Sequence, residues 1–112
     1  MRETIERTPR FAERVFTDAE RAYCESRGVV AAQHYAARFA AKEAALKALQ
    51  TGWSDGIAWQ DIEISAKESG APVITFHGRA RELFEQSGAT AAHISIAHTT
   101  EHAIAEVVLE KI

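Results

Sequence analysis

Residues 38–49 read Arg-Phe-Ala-Ala-Lys-Glu-Ala-Ala-Leu-Lys-Ala-Leu, and this stretch, RFAAKEAALKAL, sits inside a segment without Gly or Pro that runs from Val29 to Gln50. Alanine is the strongest helix former, so the segment predicts one long helix closed by Thr51-Gly52. At about 100° per residue, Tyr35, Phe39, Leu46 and Leu49 form an apolar stripe with Lys42 inside it. Glu43 and Lys47 follow one edge and Arg38 the other, while Ala37, Ala40, Ala41, Ala44 and Ala48 make a second, smooth face. A helix approachable on two sides desolvates its charges, and desolvated charges need partners.

Two readings of those charges follow from spacing alone. One is an i,i+4 surface pair between Glu43 and Lys47, worth roughly 0.2–0.5 kcal/mol. The other is a site where one carboxylate and several cations meet an anionic ligand and a metal.

Working outward, Pro9 interrupts the apolar positions Ile5, Phe11, Val15 and Phe16, which predicts two short helical turns. Thr17-Asp18-Ala19-Glu20 has capping-box spacing and starts a helix expected to reach about Glu25. After the long helix the period changes to two. Residues 59–65 and 73–77 alternate around the turn Ser69-Gly70-Ala71-Pro72, a β-hairpin. Ala80, Leu83 and Phe84 mark a short helix over 79–87, stopped by Gly88. Strands at 93–97 and 103–109 form a second hairpin. Segregated helices and antiparallel strands make the class α+β, one long helix packed on a small antiparallel sheet.

The 112 residues suit a single domain, 1–112, and 46% apolar with 26% charged residues is ordinary globular usage. One cysteine, Cys24, excludes an intrachain disulfide. No apolar run reaches the roughly 18 residues of a membrane span, and the first residues carry no secretory pattern, so a cytoplasmic protein is expected. A net charge of −3 gives no global attraction for nucleic acid. His34, His77 and His102 have no mutual ligand spacing, which speaks against a zinc site.

RFAAKEAALKAL resembles the F-(A/S)-x-K-E-(A/S)-x-x-K signature of the 4'-phosphopantetheinyl transferases, in particular the holo-acyl-carrier-protein synthase group. Five further segments match in order: residues 10–17, Thr51-Gly52, residues 59–64, Gly70-Ala71-Pro72, and residues 93–98. The resemblance implies a 4'-phosphopantetheinyl transferase-like fold. It also implies transfer of the 4'-phosphopantetheine arm of coenzyme A to a serine of apo acyl carrier protein, with Mg2+, in fatty acid biosynthesis. By the same resemblance Glu43 is a metal ligand, and Lys47 lies by the phosphates and assists the leaving bisphosphate. Lys42 and Arg38 then contact phosphate or make structural ion pairs, and His98 lies at the coenzyme A site. Arg7, Arg10 and Arg14, at i, i+3 and i+7, are either a solvated face or the surface that docks the acidic carrier. A homotrimer with sites between subunits is expected.

The family's opening strand, G-(I/V)-G-x-D-(I/L)-x-E, whose Asp gives the metal a second carboxylate, has no match in these residues. The expectations that follow are an uncovered apolar surface or sheet edge and little or no transferase activity without that strand. The alternative is a non-catalytic module that binds coenzyme A or the carrier.

Overall fold

The computed structural model describes residues 9–50, 56–99 and 102–111. Helix α1 spans Pro9–Val15 and α2 spans Asp18–Glu25. A 3-10 turn, Gly28–Val30, leads into the long α3, Ala31–Ala48. A second 3-10 turn, Trp59–Asp61, precedes β1 (Ile62–Ala66) and β2 (Pro72–Phe76). Helix α4 (Gly78–Gln86) then connects to β3 (Ala91–His98) and β4 (Ala103–Glu110). The α+β expectation and the order of elements hold. Among the described residues no helix is long and apolar enough to cross a membrane.

Several boundaries differ from the sequence reading by a few residues, and three of the differences have a local reason. Proline fits the first position of a helix, where its missing N–H costs nothing, and Pro9 opens α1. The alternation begins at Ile62 and not at Trp59, because the Asp61 carboxylate accepts the Ala58 N–H at 3.0 Å and curls residues 59–61 into a turn. Helix α3 ends at Ala48, with Gln50 left-handed at φ 55°. The expected closing pair Thr51-Gly52 lies outside the described residues.

Both hairpins form in antiparallel register, Ile64 opposite Ile74 in the first and Ser95 opposite Glu106 in the second. Gly70, at φ 90°, takes the left-handed position in the first turn. The small sheet is two two-stranded sheets: β2 and β3 run side by side without a backbone ladder joining them. Helix α3 packs mainly on β4. Ala41 and Ala45 are fully buried there and let the strand approach, while Leu46, Leu49, Ile62, Ile64, Phe76 and Val107 fill the same core.

A second, aromatic core holds α1 and α2 against the first half of α3. Val15, Phe16, Cys24 and Tyr35 are buried in it. The Phe16 and Tyr35 rings lie 4.9 Å apart, and Phe39 stacks on Trp59 at 4.9 Å. Burial pushes the Cys24 thiol up to about 12, which leaves it an inert packing group. Gln60 ties α1 down by donating to the Glu13 and Phe16 carbonyls at 2.7 and 3.1 Å.

Candidate functional site

Lys42 is the hub between the two cores. It is fully buried, and its ammonium donates to Glu20 Oε1 at 2.9 Å, to the Trp59 carbonyl at 3.1 Å and to the Ile62 carbonyl. An ammonium has three protons, and all three are taken. Of the two roles open to Lys42, the structure therefore gives it the ion pair. The cofactor-contact role is corrected, because no donor remains and no solvent reaches it. Burial lowers the Lys42 pKa from its ordinary value, and the Glu20 charge opposes that shift.

Arg38 was expected at an edge of α3 but is only 5% exposed. Its guanidinium carbon sits 4.1 Å from the centre of the Tyr23 ring, and its Nε proton has no acceptor. It makes no hydrogen bond or ion pair with a described residue. Arg38 borders a cavity of about 120 Å³, whose lining includes Tyr23, His34, Gly70, Pro72 and His98. Strand alternation puts His98 on the face of Ile94 and Ile96, and that face brings it to the cavity. His93 points the other way and meets Glu110 at 3.1 Å.

Glu43 and Lys47 are exposed on α3. Neither makes an ion pair or hydrogen bond with a described residue, so the i,i+4 surface pair is not formed. From Arg38 to Glu43 the helix turns by about 140°, and from Arg38 to Lys47 by about 180°. The two groups of candidate residues consequently face opposite sides of one helix. Among the described residues no three His, Cys, Asp or Glu side chains gather as a metal site.

Arg10 and Arg14 are exposed, one turn apart on α1, and pair with no described carboxylate. Arg7 lies outside the described residues. Sequence reasoning missed Tyr23 and His34 as cavity residues. For His34 the available signal was its position one helical turn before Arg38.

The model of the 4'-phosphopantetheinyl transferase superfamily matches residues 1–106. The holo-[acyl-carrier-protein] synthase of Koribacter versatilis is 45% identical over 101 residues, covering 90% of this chain and 80% of that protein. The crystal structure of the Helicobacter pylori holo-[acyl-carrier-protein] synthase in complex with coenzyme A superposes with a TM-score of 0.79 at 30% identity, covering 97% of this chain and 89% of that one. The Neisseria meningitidis enzyme gives 0.83 at 28% identity, covering 98% and 87%. These likenesses favour an enzyme over the non-catalytic module. The chain belongs to the 4'-phosphopantetheinyl transferase superfamily, in its holo-[acyl-carrier-protein] synthase group.

Proposed function

We propose that this single-domain enzyme moves the 4'-phosphopantetheine arm of coenzyme A onto a serine of apo acyl carrier protein, with Mg2+, in cytoplasmic fatty acid biosynthesis. The observation that carries the reading is the exposed pair Glu43 and Lys47, one turn apart within the matched motif and not neutralised by each other. Opposite charges that stay apart suit a substrate that brings both phosphate and cation.

Glu43 fits Mg2+ as a hard, solvent-facing oxygen donor with no competing partner among the described residues. Mg2+ takes one or two protein carboxylates and fills its remaining positions from waters and substrate phosphates. When bound, the ion supplies charge neutralisation at the pyrophosphate. Lys47 Nζ would donate to the pyrophosphate oxygens and orient them. The carrier serine hydroxyl would release its proton to solvent as its oxygen attacks the phosphorus attached to the pantetheine arm, and the bond from that phosphorus to the bridging oxygen would break. The electron pair leaves on adenosine 3',5'-bisphosphate, whose new negative charge Lys47 stabilises or protonates.

Opposed faces on α3 support a site assembled between subunits of a homotrimer. Coenzyme A would place its nucleotide end in the Arg38 and His98 cavity of one subunit, with its pyrophosphate over Glu43 and Lys47 of the next. Ile104 and Val108, 72% and 49% exposed on the outward face of β4, are apolar surface for such contacts. Arg10 and Arg14 would meet the acidic carrier protein. The test is an assay of phosphopantetheine transfer from coenzyme A to apo acyl carrier protein, with Mg2+ and with chelator. Mg2+-dependent formation of holo protein is expected; no transfer at any Mg2+ concentration would overturn the reading.

A further inference from the structure

His34 belongs to none of the matched motifs, yet it stands in the wall of the Arg38 and His98 cavity. Its ring meets the His98 ring edge-on with centroids 5.3 Å apart, and the Tyr23 ring edge-on at 5.6 Å. Neither imidazole has a carboxylate partner among the described residues, in contrast to His77 with Glu63 and His93 with Glu110. Among the described residues no Asp or Glu lines the cavity. Two imidazoles and a buried guanidinium with an unused Nε proton therefore converge on one small space with no negative charge in it. Clustering of that kind is unfavourable in an empty site and favourable once an anion enters.

We infer that His34 is a ligand-binding residue that, together with His98 and Arg38, seats a phosphomonoester group of coenzyme A. The inference rests on the coenzyme A reading above and adds a residue to it. A phosphomonoester carries up to two negative charges and three acceptor oxygens, enough for two imidazole donors and one guanidinium. The Tyr23 ring backs the Arg38 plane, and Ser65 adds a hydroxyl to the lining.

The groups that face His34 explain how it responds. Tyr23 comes from α2, Arg27 from the turn after it, Arg38 from α3 and His98 from β3. Burial first, then the nearby His98, Arg38 and Arg27 charges, lowers the His34 pKa, so the free site favours neutral imidazole. A dianion reverses that balance by favouring imidazolium. Binding then takes up protons, and affinity rises as pH falls toward the lowered His34 value of the free site.

Calorimetry with adenosine 3',5'-bisphosphate and with adenosine 5'-monophosphate separates the roles, because only the former carries the extra phosphomonoester. The proteins are wild type, His34→Phe and His34→Gln, each titrated in two buffers of different ionisation heat. Loss of one charge-assisted hydrogen bond should weaken the bisphosphate about tenfold in both variants, change the monophosphate less than about twofold, and reduce proton uptake. Retained monophosphate binding reports an intact cavity. Equal weakening of both probes, or no weakening of either, would overturn the assignment of His34. Failure of the wild type to bind the bisphosphate would overturn the coenzyme A reading as well.

Discussion

The Lys42 ammonium and the Glu20 carboxylate, both fully shielded from solvent, meet at 2.9 Å between the two cores. Glu20 also accepts the N–H of Thr17 and of Ile64, each at 2.8 Å, so the pair joins α2, α3 and β1. A buried pair contributes little relative to a packed apolar replacement, but removing one partner strands the other. Lys42→Met should cost about 3–5 kcal/mol. Urea denaturation measures it, and a loss below about 1 kcal/mol would contradict the ion pair's place in the fold.

Glu43→Gln and Lys47→Ala should behave in the opposite way. Both side chains are exposed and make no described contact, so stability should stay within about 0.5 kcal/mol. Glu43→Gln should abolish the Mg2+ effect on coenzyme A binding in calorimetry. Lys47→Ala should lower kcat while much of the metal effect persists. Unchanged metal-dependent affinity in the first variant would remove Glu43 from the site.

Acid stability should depend on Glu63. Its carboxylate accepts the Thr17 hydroxyl at 2.7 Å and faces His77 at 3.1 Å, and these hydrogen bonds hold its pKa below the ordinary 4.5 despite partial burial. A carboxyl lowered on folding adds stability that is complete above 4.5 and is lost as pH falls through the lower folded value. Glu63→Gln should flatten that part of the stability curve. Denaturant midpoints taken from pH 6 down to about 3 test this, and parallel curves for the two proteins would contradict it.

Assembly should require the outward face of β4. Light scattering should give a trimer for the wild type, and Ile104→Glu should shift it toward smaller species by placing a charge on this exposed apolar surface. A wild-type monomer at micromolar concentration would remove the shared-site geometry.

Carrier docking should be electrostatic. Replacing Arg10 and Arg14 with Glu should raise the KM for acyl carrier protein several-fold, most at low salt, and leave the KM for coenzyme A unchanged. An effect insensitive to salt would point to a packing role on α1.

The sequence carried the fold well because its strongest signals are local. Alanine density, the Thr17–Glu20 cap and the period-two strands each act within a few residues. Lys42 shows where local reasoning stops. Helical spacing put it in the apolar stripe, but its partner Glu20 lies 22 positions away and already had a visible role in the cap. Arg38 is similar: its burial depends on Tyr23 from another helix. Spacing among His34, His77 and His102 does not reveal His34 as a site residue, because its neighbour in space is His98 from β3.

The missing ladder between β2 and β3 has a mechanical consequence. Part of the small cavity's lining, at Gly70 and Pro72, is carried by the first hairpin and part, at Ile96 and His98, by the second. Side-chain packing alone couples the hairpins along that seam, so a displacement of one against the other breaks no interstrand hydrogen bond. Shear across the seam would change the width of the cavity while leaving both ladders and the helix that carries Arg38 intact.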